Sequence, residues 1–328
     1  MILPGNDALA IVQAAKAIRS GELVAFPTET VYGLGADASS DEAVAKIFAA
    51  KGRPADHPLI VHVADAAQVS DYASGVPPFA EKLIKAFWPG PLTVILPRKA
   101  GVAAAAAGGQ DSIGLRCPSH PVALAFLRAC ATGLAGPSAN RFGRVSPTTA
   151  QHVRDEFGDD LLVLDGGPCE VGIESCIVDC TRSQPVLLRP GVLTVAALEA
   201  ACAEPVLDKD DLSLTRDATP RASGTLESHY APNAKVRLMD AKAIQTALDL
   251  LGAEAAHIAV YARTIVRIKS TKIVYRRMPD DVMATAQQLF AVLRGFDDRA
   301  VKLIWVENLP DDDAWDGVRD RLERAAAG

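Results

Sequence analysis

Glu22-Leu-Val-Ala-Phe-Pro-Thr-Glu-Thr-Val-Tyr-Gly-Leu-Gly35 and its continuation Lys51-Gly-Arg-Pro-Ala-Asp-His-Pro-Leu-Ile-Val-His-Val63 set the pattern for the rest of the chain. The apolar run Leu23 to Phe26 reads as a strand that ends at Pro27. Thr28, Glu29, Thr30 and Tyr32 then crowd hydroxyls, a carboxylate and a phenol onto its end. Gly33 and Gly35 lack a Cβ, so the backbone there can turn tightly or approach a ligand closely. A Ser39-x-x-Glu42 capping box opens a short helix, with Ala43, Val44, Ile47 and Phe48 at core-facing spacing. Lys51-Gly-Arg-Pro54 closes it, and Leu59 to Val63 is the next strand. Lys51 beside the helix C-terminus is also what the helix dipole favours. Polar groups at the strand ends of such a unit nonetheless match the place where α/β proteins bind ligands, and the paired cations suit an anion.

Working outward, residues 7–20 read as an amphipathic helix carrying Leu9, Ile11, Val12, Ala15 and Ile18. Pro77 opens a helix with Phe79, Leu83, Ile84 and Phe87 on one face. Leu92 to Leu96 and Ser112 to Cys117 are strands, and Ala100 to Gly109 is a loop or frayed helix. Glu174 to Asp179 and Val186 to Leu188 form paired strands, because the gap leaves no room for a crossover helix. These elements make a mixed-sheet domain over residues 1–203. Residues 204–234 lose periodicity and read as a linker. Residues 235–328 alternate strand and helix as a small, mostly parallel α/β domain.

With a net charge of −6, the chain is unsuited to tight non-specific nucleic-acid binding. No apolar run reaches membrane-spanning length. The six cysteines, 117, 130, 169, 176, 180 and 202, are scattered, which fits reduced thiols in a cytoplasm. Cys176 and Cys180, four apart on one strand, read as packing thiols. Zinc-ligand spacing, the GxxxxGK[ST] loop, GxGxxG and GxSxG are all missing. Polar clusters remain at Thr28 to Tyr32, Lys51/Arg53, Ser112/Arg116, Ser138/Asn140 with Ser146, and Ser175/Arg189. Arginines among hydroxyls suit a polyanion together with a carboxylate.

Pro27-Thr-Glu-Thr-Val-Tyr-Gly-Leu-Gly35, Lys51-Gly-Arg-Pro54, Trp88-Pro-Gly-Pro-Leu-Thr93, Pro137-Ser-Ala-Asn140, Ser146-Pro-Thr148, Leu188-Arg-Pro-Gly191 and His229-Tyr-Ala-Pro232 together resemble the YrdC-like threonylcarbamoyl-AMP synthases in their longer, two-domain form. The resemblance covers essentially the whole chain. It implies a twisted α/β domain, a linker acting as a lid, and a smaller Rossmann-like domain. The implied reaction takes L-threonine, bicarbonate and ATP with Mg²⁺ to threonylcarbamoyl-AMP and pyrophosphate. The product feeds a tRNA threonylcarbamoyl transferase complex. By the same resemblance Thr28, Tyr32, His62, Arg116 and Ser175 handle threonine. Lys51, Arg53, Ser112, Ser138, Asn140, Ser146, Arg189, His229 and Tyr230 contact ATP, with Lys51 and Arg53 as the catalytic cations. Cys176 and Gly136 depart from the family pattern, where threonine and alanine are frequent. The alternatives are a non-catalytic RNA-binding or assembly module and the carbamoyl-transfer chemistry of hydrogenase maturation.

Overall fold

A computed structural model describes residues 1–209, 220–224, 229–264 and 266–328. The linker expected over 204–234 therefore lies in part outside the described residues. Two compact units result: Met1–Phe142 with Ser146–Thr225, and Gly143–Val145 with Leu226–Gly328.

The strands of the first unit, in chain order, are Ile2–Pro4 (β1), Val24–Phe26 (β2), Gly33–Asp37 (β3), Ile60–His62 (β4), Leu92–Pro97 (β5), Ser112–Arg116 (β6), Leu134–Ala135 (β7), Leu162–Asp165 (β8), Cys176–Asp179 (β9), Val186–Arg189 (β10) and Leu207–Asp208 (β11). They form one mixed sheet in the order β1-β8-β2-β3-β7-β4-β6-β5-β9-β10-β11. The β9–β10 pair is antiparallel, as the short gap requires.

Register decides what each face carries, since side chains alternate along a strand. Val61, Leu115, Val94 and Val178 align across β4, β6, β5 and β9, and all four belong to the main core. The opposite face presents Ile60 and His62, Ser112, Gly114 and Arg116, Thr93 and Ile95, and Ile177. On β10, Arg189 pairs with Ile177. One period-two pattern thus builds an apolar core on one side and, on the other, a face that sets polar residues among isoleucines.

Three local expectations need correction. Gly33 and Gly35 do not make a turn. They lie in β3, antiparallel to β2, beneath the ring of Phe26. A Cβ at either position would come within 3.0 or 3.1 Å of that ring. Ser40, not Ser39, caps the helix Asp41–Lys51, accepting from the Ala43 amide. Ser39 is held instead by the Asp37 carboxylate. In the helix Ala8–Arg19 the buried stripe is Ala10, Ala14, Ala15 and Ile18, while Leu9 and Val12 face solvent. Small alanines pack this helix closely against Phe126 and Leu127 of the helix Pro121–Cys130, and closeness there wins over side-chain size. Residues 100–109 are turns, with Ala103, Ala106 and Ala107 buried.

In the second unit, Lys235–Met239 (β12), Ile258–Ala262 (β13), Val274–Arg277 (β14) and Leu303–Glu307 (β15) form a sheet ordered β12-β15-β13-β14. All three pairings are parallel. The helix Ala241–Leu251 covers it through Ile244 and Leu248. Among the described residues no helix is long and apolar enough to cross a membrane. All six cysteines are free thiols and buried.

Candidate active site

Arg116 closes β6 on the polar face and is 4% exposed. Its Nη2 donates to Glu29 Oε1 at 2.7 Å and its Nε to the Gly90 carbonyl at 3.3 Å. Glu29 Oε2 accepts the Ser119 amide at 3.1 Å. The guanidinium is thus locked by two of its three nitrogens, which leaves Nη1 for another acceptor. His62 sits beside Arg116 in register, edge-on to Phe26. Burial first, and the Arg116 charge second, lower its pKa from 6.5 to about 3, so the ring is neutral. A Cβ on Gly136 would lie 2.8 Å from His62 Nδ1, which gives the glycine at that position a steric reason.

This shift carries a signed prediction. With the native pKa depressed, the unfolded chain binds the extra proton between pH 6.5 and about 3, so stability falls as pH drops through that window. Urea midpoints measured from neutral to acid pH should decline less steeply for His62→Gln than for the wild type. Parallel curves would show that other groups govern acid unfolding.

Lys51, in the last turn of the helix Asp41–Lys51, points its Nζ at the Ser138 carbonyl (2.6 Å) and the Asn140 carbonyl. Burial, then the nearby Arg53 charge, pushes its pKa well below 10.5, while Glu156 and Glu174 oppose the shift. Gly52 makes this geometry possible: with φ at 64° it ends the helix in the left-handed region that favours glycine. Arg53 then donates to the Pro58 carbonyl (2.9 Å) and Ser223 Oγ (3.1 Å), with its guanidinium over the Phe142 ring. Ser146 Oγ donates to Glu174, and both are buried.

Arg189 Nε donates to the Ser175 carbonyl at 3.1 Å and Nη2 to Ser175 Oγ at 3.3 Å, while Nη1 reaches the Ser223 carbonyl at 2.8 Å. Ser175 Oγ lies 2.8 Å from Thr93 Oγ1. Arg53, Ser223, Arg189, Ser175 and Thr93 therefore form a continuous polar chain. Beneath it Ile60, Ile95, Ile177 and Gly114 make an apolar floor, with Ser112 at the rim. Ala222 and Ser223 lie over this floor and leave a cavity of only about 20 Å³, room for about one water.

Thr28 and Tyr32 hydrogen-bond to the surrounding backbone. Thr28 Oγ1 donates to the Val31 carbonyl (2.6 Å) and accepts the Thr30 and Val31 amides. The Tyr32 hydroxyl ties together Asp165, Gly166 and Gly167, and burial raises its pKa. His229 and Tyr230 belong to the second unit. There Tyr230 stacks on Phe290 at 5.5 Å, with the Arg321 guanidinium 5.3 Å from its ring centre. The sequence places Glu29 in the Thr28 to Tyr32 cluster without assigning it a role, and assigns none to Thr93, Glu174 or Ser223. Glu29 carried the best signal, as the sole carboxylate inside the Thr28 to Tyr32 cluster.

Residues 16–191 match the family model Sua5_yciO_yrdC, described as "Telomere recombination", and residues 193–327 match a model described as "Threonylcarbamoyl-AMP synthase, C-terminal domain". A Bacillus subtilis (strain 168) protein named threonylcarbamoyl-AMP synthase is 38% identical, over 97% of this chain and 93% of its own. The chain belongs to this family. Its two-domain threonylcarbamoyl-AMP synthase architecture is similar to that of Pyrococcus abyssi Sua5. In the complex of that protein with L-threonine the identity is 37% and the TM-score 0.87, covering 96% of this chain and 94% of that one. A doubly substituted form gives 36% and 0.89, covering 99% and 96%. These near full-length matches put the synthase activity in place of the RNA-binding and hydrogenase-maturation alternatives.

Proposed function

We propose that the polar face of β4, β6, β5, β9 and β10 is where this threonylcarbamoyl-AMP synthase seats L-threonine beside MgATP. The observation that carries the reading is the locked Arg116: a buried guanidinium with one nitrogen unengaged is a preformed receptor for a carboxylate. His62, Thr93 and Ser175 surround it and select the rest of the amino acid. Ile60, Ile95 and Ile177 form the floor for the adenine ring. Lys51, Arg53 and Arg189, with Ser112, Ser138, Asn140 and Ser146, receive the ribose and phosphates. Mg²⁺ enters on the phosphate oxygens as part of the substrate.

The threonine amine attacks the carbon of CO2 derived from bicarbonate and loses a proton, giving a carbamate. A carbamate oxygen then attacks the ATP α-phosphorus in line, the bond to the bridging oxygen breaks, and pyrophosphate leaves. Carbamates are short-lived in bulk water, so a covered site serves the reaction. The protein's part is positioning and charge neutralisation. ATP enters only when residues 221–223 leave the floor. The product serves threonylcarbamoyladenosine formation in tRNA, passing to a transferase complex in the cytoplasm.

The test is pyrophosphate release with ATP, bicarbonate and single amino acids. Release that depends on both threonine and bicarbonate is expected, and threonine-independent release would overturn the reading. Placement of the adenine is tested separately by Gly114→Val. An added Cβ meets only Thr93 and Ile60, at 3.5 and 3.7 Å, so the larger side chain fills the slot. KM for ATP should rise about ten-fold with KM for threonine unchanged; unchanged ATP kinetics would move the adenine elsewhere.

A further inference from the structure

Thr93 carries a wholly buried hydroxyl where packing alone needs none. The rest of its strand, Leu92, Val94, Ile95 and Leu96, is apolar and buried. A valine has nearly the same shape and would leave no polar atom to desolvate. The hydroxyl has one hydrogen-bond partner among the described residues, Ser175 Oγ at 2.8 Å. The methyl lies on the other side of β5. Thr93 Cγ2 is the atom that a Cβ on Gly114 would meet first, at 3.5 Å, and Gly114 belongs to β6 while Ser175 leads into β9. The order β6-β5-β9 separates the two contacts. Because a β-branched side chain has few rotamers open to it, seating the methyl beside Gly114 holds the hydroxyl toward Ser175.

Ser175 is equally buried and has a second fixed partner. Arg189 Nη2 donates to its Oγ at 3.3 Å, and Arg189 Nε donates to its carbonyl at 3.1 Å. A guanidinium only donates, so this bond occupies one lone pair of the serine oxygen. A hydroxyl offers three hydrogen-bonding positions in all, one proton and two lone pairs. Arg189 takes one and Thr93 another. The third is then fixed in direction, where a serine held by a single partner could turn among its staggered rotamers.

We propose that Thr93 is a positioning residue for the amino acid: with Arg189 it fixes Ser175 Oγ so that the remaining position serves L-threonine. This rests on the reading above that Ser175 handles threonine, and it assigns Thr93 its part in that selection, exerted through Ser175. All of the groups involved lie in the first unit. The methyl explains why the position carries threonine and not serine, and the hydroxyl explains why it does not carry valine.

The experiment compares Thr93→Val, Thr93→Ser, Ser175→Ala and the double variant Thr93→Val/Ser175→Ala in the full-length protein. Pyrophosphate release is followed, with KM determined separately for threonine and ATP. Thr93→Val should raise KM for threonine about 3- to 10-fold, the effect of one hydrogen bond, with KM for ATP within about two-fold. Thr93→Ser keeps the hydroxyl and should recover most of that loss. The double variant should be no worse than Ser175→Ala alone, because Thr93 acts only through the group already removed. Should Thr93→Val fail to fold, Thr93→Ala takes its place in the same cycle. An unchanged threonine KM in Thr93→Val while Ser175→Ala raises it, effects that multiply in the double variant, or equal rises in both KM values overturn the positioning role. If Ser175→Ala itself leaves the threonine KM unchanged, the placement of threonine at Ser175 falls first, and the proposal with it.

Discussion

Replacing Lys51 with alanine lowers threonine-dependent pyrophosphate release by about 10²- to 10³-fold, the cost of removing a preorganised charged donor from a water-poor site. Two of the three Nζ donors are already committed, to the Ser138 and Asn140 carbonyls. The amine therefore both shapes the Ser138–Asn140 turn and brings positive charge to it. Alanine would remove the charge and leave two carbonyls without their donor, so the loss should fall on kcat and on KM for ATP alike. Lys51→Arg restores charge but not shape, since a guanidinium is planar and bulkier than an ammonium. A Lys51→Ala rate within three-fold of wild type would remove Lys51 from the chemistry.

The pH dependence has a defined sign. The Lys51 pKa is lowered because burial and Arg53 disfavour its charged form. Below that lowered pKa the folded, ligand-free protein carries a buried cation at a cost in stability. The cost falls away as pH rises toward 10.5. Free protein should thus gain stability on the alkaline side, and Lys51→Met should lose that gain. Bound triphosphate reverses the effect by favouring the cation, so ATP should stabilise the protein less as pH rises.

Substituting Glu29 with alanine destabilises the protein by about 3–5 kcal/mol and raises KM for threonine, because it strands the Arg116 charge in a buried site. Both side chains of the pair are 5% exposed. The same carboxylate holds the Ser119 amide, and the Glu29 carbonyl accepts the Val171 amide at 2.7 Å. Glu29→Gln retains shape and hydrogen bonding, so it should lose less stability while still loosening Arg116. Urea midpoints together with threonine KM values check this. A large stability loss with normal threonine KM would leave Glu29 structural and detach Arg116 from the carboxylate role.

Much of the candidate site was legible as a candidate because its residues are polar where a strand pattern leaves no structural need for polarity. Arg116 and His62 end apolar strands, Lys51 ends a helix and Arg53 follows it. Glu29 was hidden for a different reason. Its partner lies 87 residues away, and nothing local distinguishes a charge that binds substrate from one that holds another charge in place. Thr28 and Tyr32 stand in the same stretch, and their hydroxyls also bond to backbone, Thr28 to Val31 and Tyr32 to Gly167.

Gly33 and Gly35 were legible only as permissive positions, since the ring they accommodate is chosen by the β2–β3 register. Of the residues read as the apolar face of 7–20, Ala15 and Ile18 are buried while Leu9 and Val12 face solvent. Close helix packing instead selected the alanines, because a short side chain shortens the distance between backbones.

Period-two and period-3.6 patterning, turn residues and the motif order determined the α/β class, the strand set and the family. Those features are local, and each residue type states its own preference. The tertiary structure alone decided which face of the sheet became core, which nitrogen of Arg116 was left over, and that residues 143–145 fold with the second unit. These outcomes depend on register and on contacts between distant segments, whose free energy appears only once the chain has brought them together.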